Sequence, residues 1–400
     1  MARLSKEELD KIKSKYNVSR IWSWSRISTY LTSKYEYMLK YVLKVPEDRQ
    51  DCGYASLGTI AHDTLDDLYE GKTSYEDMIV QFEDGWLTAI DIADLKLDRN
   101  DDAHDKSIKE KYKEDLQHFF RNHVEYKYKL LIEKPVTAQV GNNVFVGYVD
   151  ALYKDDDGNY NIIDFKTSSK FSGKTLIEKS GQLVVYSIAL IQAGIPIEKV
   201  KPCFNFLKYC TIEYQQKNGA VKTRDVERCK IGESLQTNAR MWLKASGYSS
   251  DEIDEYLKML IDTNSIEALP EDVKCKYKMM DCHVYVPLTQ ELVDEWSGTI
   301  ITTIHDIYAR EKDYDETKSD KCFWDDEDSV RAESYYYATL CGYSVSKLLP
   351  YKEYLDKLEA QKNGQDMFNL GDSKTSLQTS KDICDNNKQD DDLSWLDELM

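Results

Sequence analysis

The sequence predicts an α/β (α+β) protein, with a central mixed β-sheet flanked by helices and large helical additions before and after it. Three observations carry this. Residues from about 5 to 130 show helical periodicity. Residues 131–230 run in apolar or alternating, β-branched stretches broken by turn signals. Helical periodicity then returns. The 400 residues suffice for one large domain or two modest ones.

In chain order, candidate helices cover about 6–16, 26–43, 57–70, 74–95 and 105–130. Tyr30, Tyr35, Tyr37 and Tyr41 punctuate the second, and core packing is the favoured reading of that stripe over base stacking. LIEKPVTAQV (131–140), NVFVGYVDALY (143–153) and YNIIDFKTS (160–168) read as strands. DDDGN (155–159) is a turn signal that makes the last two a hairpin. LIEKSGQLVVYSIALIQAG (176–194) reads as one helix stopped by Gly194 and Pro196. Residues 200–215 and 221–228 read as strands joined by the turn KNGA. The order β-β-β-α-β describes a mixed sheet with a helix packed on it. Later helices are expected at 232–247, 251–262, 289–313, 327–341 and 350–362, with a strand at 282–288.

These stretches divide the chain into a helical region (1–130), a sheet-and-helix core (131–230), a second helical region (231–364) and an acidic tail (365–400) whose composition predicts disorder. The tail ends in DDLSWLDELM. Leu393, Trp395, Leu396 and Leu399 could line one side of a short helix that docks in a partner's groove, or belong to a solvated tail.

Hydrophobic residues are 41% and charged residues 31%, the balance of a soluble globular protein. No apolar run reaches the roughly 18–20 residues that span a bilayer, and the first residues lack an apolar signal core, so a cytoplasmic location is expected. Nine scattered cysteines without a CxxC pair are expected to remain thiols. A net charge of −19 argues against a protein that coats nucleic acid, yet leaves room for an enzyme with a local basic channel.

The chemistry is concentrated between 147 and 186. Asp164 and Lys166 share a face of one strand, and the hairpin sets Asp150 close to opposite Asp164. A hard divalent cation, Mg²⁺ or Mn²⁺, would relieve the repulsion of two carboxylates and activate a water. Lys166 would stabilise the charge on a pentavalent phosphate or orient the attacking water. D-x-K alone is common by chance. It gains weight from the apolar strand that delivers Asp164, from Gln182 and Tyr186 four apart on the next helix, and from His62 on a helix with small residues before it. A lone helical histidine is more often a packed or surface residue.

Together, GTIAH (58–62), Glu133, GYVD (147–150), IIDFK (162–166) and QLVVY (182–186) resemble the PD-(D/E)XK nuclease superfamily in its RecB-like exonuclease branch, and the whole chain looks similar to proteins encoded by phages of Gram-positive bacteria. The likeness extends to SWSRISTYLTSKYEYMLKYVL (23–43). It implies a restriction-endonuclease-like fold and a metal-dependent DNA nuclease. His62, Asp150, Asp164 and the carbonyl of Phe165 would be metal ligands, and Lys166 the catalytic lysine. Gln182 and Tyr186 would complete the site, and Glu133 would support it. Many members of the branch hold an iron–sulfur cluster on four cysteines. Here Ser33 stands at the N-terminal cysteine's place and Cys322 lacks a close second cysteine, so no cluster is expected and helix and tyrosine packing should staple the ends. DNA is the implied partner, with a replication or recombination protein bound through 390–400 as a further possibility. The alternative function is a catalytically silent nuclease-like adaptor using its acidic tail. An acidic DNA mimic explains none of the ordered motifs.

Overall fold

The computed structural model of the chain describes residues 3–49 and 51–369, with side chains to 362. The tail from 370, its 390–400 segment and Cys384 lie outside the described residues.

The chain begins with α1 (Lys6–Tyr16), started by a reciprocal Ser5–Glu8 capping box and stopped by Asn17 in the left-handed conformation. The short strand β1 (Ile21–Trp22) follows, then α2 (Trp24–Thr32) and α3 (Lys34–Tyr37), which widens into a π turn over Met38–Val42. Next come α4 (Gly53–Tyr69), α5 (Met78–Trp86) and α6 (Asp102–Asn122). The core is β2 (Leu131–Val140), β3 (Asn143–Lys154), β4 (Tyr160–Lys166), α7 (Gly173–Lys179), α8 (Gly181–Gln192), β5 (Val200–Gln215) and β6 (Val221–Glu227). The rest is α9 (Ile231–Ala245), α10 (Ser250–Thr263), α11 (Glu271–Lys274), β7 (Tyr277–Tyr285), α12 (Gln290–Thr317), α13 (Glu327–Ala332) and α14 (Leu349–Asn369).

The seven strands form one mixed sheet in the order β1-β3-β4-β5-β6, with β2 also on β3 and β7 also on β5. β1–β3 and β4–β5 are parallel, and the other pairs antiparallel. Helices cover both faces. On one, Ile162, Phe204 and Phe206 pack with α8 and α12 residues such as Leu183, Ile300 and Ile304. On the other, Ile163, Phe165 and Cys203 pack with α4–α6 residues such as Leu65, Phe82 and Phe119. The alternation along β4 is the period of two that places Asp164 and Lys166 on the opposite face from Phe165. A third cluster joins α9 and α10 to the far end of β5.

Several boundaries differ from expectation. The helix expected at 176–194 is two helices, because Gly181 lies against Trp24 so tightly that an added Cβ would fall 2.0 Å from the indole. The Ser180 hydroxyl turns back to the Ile177 carbonyl at 2.7 Å and accepts the Trp296 N–H at 3.1 Å. The helix expected to reach 130 stops at Asn122, where His123 turns to Asp281 at 2.6 Å. The late strand lies at Tyr277–Tyr285 instead of 282–288, and 327–341 is broken after Ala332. β1 has only two residues, too short for periodicity to reveal. The tyrosine stripe behaves as core: Tyr30, Tyr35 and Tyr37 are buried, while Tyr41 is half-buried on a cleft wall.

The ends of the fold are stapled by Asp325. Its carboxylate accepts from the Ser33 hydroxyl (3.0 Å), the Lys34 N–H (2.9 Å), the Tyr35 N–H (3.3 Å) and the Tyr337 hydroxyl (3.2 Å). A buried acid thus caps α3 from almost three hundred residues away.

Candidate active site

The site forms where β3 and β4 part. Their ladder runs to Ala151↔Ile163, and one more step places Asp150 opposite Asp164. There the Asp150 carboxylate takes the Phe165 N–H at 3.0 Å, and the strands separate. On the other side, Ile132↔Ala151 and Lys134↔Val149 place Glu133 at the same level. Glu133 has φ 49°, a left-handed backbone inside a strand. Three neighbouring strands therefore bring an acid to one level of the sheet.

His62 reaches this level from α4, on the opposite side of the sheet from Lys166's cleft. Its Nε2 lies 2.9 Å from the Phe165 carbonyl oxygen and its Nδ1 3.6 Å from Asp150 Oδ2. Lys166 Nζ is 2.7 Å from Asp164 Oδ2, an ion pair without hydrogen-bond alignment. Asp150 and Asp164 are both buried. Burial raises the Asp150 pKa, with His62 and Lys166 opposing and Asp164 adding to the rise. For Lys166 burial works against the ammonium, but Asp164 and Asp150 outweigh it and hold the pKa above its ordinary value.

The Gln182 amide donates to the Tyr186 hydroxyl at 3.0 Å. Tyr186 lies so close over β3 that a Cβ at position 147 would fall 2.4 Å from its ring, so Gly147 is required by the approach. Burial raises the Tyr186 pKa and keeps the phenol protonated. Lys166, Gln182 and Tyr186 open into a cleft of about 710 Å³ walled by α2. His62 opens into a second cavity of about 610 Å³. Glu133 lines both.

The family model of the PD-(D/E)XK nuclease superfamily matches residues 21–322. The chain belongs to this superfamily. Its seven-stranded mixed sheet between helices is consistent with the restriction-endonuclease-like fold. No curated protein matches the chain.

Superfamily members typically work with a divalent metal, and the donors here suit one. Carboxylate and carbonyl oxygens suit a hard divalent cation, and imidazole is a common ligand of divalent transition-metal ions. His62 Nε2 and the Phe165 oxygen lie 2.9 Å apart, at hydrogen-bond distance, and with the ring proton on Nδ1 both would be free to hold the ion. Among the described residues, no three His, Cys, Asp or Glu side chains are gathered as a ready ligand group. The backbone carbonyl has to count as a donor, and Lys166 occupies Asp164. The eight cysteines among the described residues are unpaired, and Cys322 Sγ lies 2.7 Å from the Ser319 carbonyl. No described helix is long and apolar enough to cross a membrane.

Every residue proposed from the sequence for the catalytic and metal site lies in this neighbourhood, with Glu133 at its rim. Asp66 was missed. It lies one helical turn beyond His62 and lines the same cavity, and burial followed by the facing Glu133 raises its pKa to about 6. The signal was the i, i+4 spacing from His62.

Proposed function

We propose that the chain is a divalent-metal-dependent deoxyribonuclease, acting as an exonuclease of the RecB-like branch in phage-type DNA replication or recombination. The observation that carries this reading is the meeting of His62, Asp150 and the Phe165 carbonyl beside the Asp164–Lys166 pair, with Lys166 opening into one cleft and His62 into a second cavity. His62, Asp150, Asp164 and the Phe165 carbonyl would hold Mg²⁺ or Mn²⁺. When bound, the ion would polarise a phosphoryl oxygen and lower the pKa of a water.

The chain's own groups account for the rest. Lys166 holds a positive charge within reach of the phosphate and stabilises the extra negative charge of the pentavalent state. The Gln182 amide spends one proton on Tyr186. Its second proton and the Tyr186 hydroxyl proton remain to hold phosphate oxygens. Glu133 closes the acidic rim. Trp24, Tyr148 and the α2 residue Thr32 offer the cleft an aromatic and hydroxyl lining suited to a polynucleotide.

The test is cleavage of end-labelled and internally labelled DNA with Mn²⁺. Lys166→Ala and Asp164→Ala should each lose at least about a hundredfold in rate, with unchanged circular dichroism. Release of label from ends before internal fragments appear is the exonuclease outcome. If both variants digest DNA as fast as the unaltered chain, the assignment fails.

A further inference from the structure

We propose that Arg3 is a phosphate-anchoring residue of the cleft, gripping the polynucleotide backbone beside the bond that is cut. This rests on the nuclease reading above. The chain carries a net charge of −19, and a polyanion can enter its cleft only where cations have charge to spare. Two of the cleft's cations are committed to carboxylates. Lys166 lies 2.7 Å from Asp164 and Lys40 2.8 Å from Glu47. Arg3 differs. No carboxylate among the described residues pairs with it, and its guanidinium carbon lies over an aromatic face, 6.0 Å from the centre of the Tyr148 ring.

The position of Arg3 is held by the fold. The next residue, Leu4, donates its backbone N–H to the Tyr148 hydroxyl at 2.8 Å. Tyr148 belongs to β3, two residues before Asp150. Arg3 lines both the cleft that holds Lys166 and the cavity that holds His62, so it stands where the two halves of the site meet. A guanidinium is a planar fork that matches phosphate with two parallel hydrogen bonds. An exposed cation–π contact is weak, so the group can leave the tyrosine face for a phosphate without breaking an ion pair. The arginine's role is to hold the strand, and bond cleavage stays with the groups around Asp164.

The experiment measures binding of a short labelled oligonucleotide with Ca²⁺ in place of Mn²⁺, over a series of salt concentrations, and steady-state cleavage with Mn²⁺. Arg3→Ala should weaken binding about tenfold at low salt. It should also reduce the slope of log affinity against log salt by about 0.7–0.9, one phosphate contact. KM should rise about tenfold with kcat within about twofold. Arg3→Lys should keep the slope and recover part of the affinity. Arg224→Ala, an exposed arginine on β6 that donates to the Ser234 carbonyl, should change neither. An unchanged slope in Arg3→Ala overturns the proposal, as does an equal change in Arg224→Ala. If the unaltered chain neither binds nor cuts DNA, the nuclease reading falls and takes this inference with it. If it cuts and the Arg3→Ala slope is unchanged, only the anchor falls.

Discussion

Glu133 has the backbone of a glycine. Among the described residues other than glycine with positive φ, it alone lies inside a strand. The left-handed conformation costs a side-chain-bearing residue about 1 kcal/mol or more, and strain of this kind collects at working sites. Glu133→Gly should therefore raise thermal stability by about 1 kcal/mol while lowering metal-dependent cleavage. A calorimetric scan beside a rate measurement checks both. His118 gives the pH prediction. Burial, then Arg228 and Arg121, lower its pKa from 6.5 to about 4, and it lies 3.3 Å from the Arg228 guanidinium. The folded form thus binds the proton less tightly than the unfolded chain. Stability from this group is complete above about pH 6.5 and is lost as the pH falls toward about 4. Urea midpoints across that window should fall, and His118→Gln should flatten the fall. At this scale the sequence was informative where residue type and strand period act together, as with Asp150, Asp164 and Lys166. Arg3 was not legible, because a lone arginine gains meaning only from the cavity around it, whereas Asp66 carried a signal in its i, i+4 spacing from His62.

Between elements, two glycines and one acid decide how closely the layers meet. A methyl group at Gly181 would enter the Trp24 ring and one at Gly147 the Tyr186 ring. Each alanine variant should lose about 1–3 kcal/mol by overpacking, and Gly147→Ala should also slow cleavage by moving Tyr186. Chemical denaturation separates the two effects. Asp325 accepts four hydrogen bonds across the α3 terminus and Tyr337. Asp325→Ala leaves those donors without an acceptor and should cost about 3 kcal/mol, read as a lower unfolding midpoint. The staple expected from helix and tyrosine packing thus includes a carboxylate that no local pattern announced. The strands from β2 to β6 were well marked by alternation and by DDDGN, whereas β1 and the bounds of β7 were not. The break at Ser180 was hidden, because SGQ continues a helical period and only Trp24 and Trp296 show why it cannot continue.

For the whole molecule, the order of helices, sheet and helices was legible from texture alone, since each switch between periods of 3.6 and 2 coincides with a layer boundary. The crossing of chain ends was not, because contacts such as Ser33 to Asp325 join positions that no window compares. Deletion of 390–400 should leave cleavage of short oligonucleotides unchanged and weaken a protein contact, measured by nuclease assay and co-sedimentation. Loss of cleavage in the truncated chain would contradict this. The contact of His62 with the Phe165 carbonyl closes a loop of 103 positions. A nascent polypeptide therefore cannot bring the proposed ligands together until residue 166 has left the ribosome and α4 has docked behind the sheet.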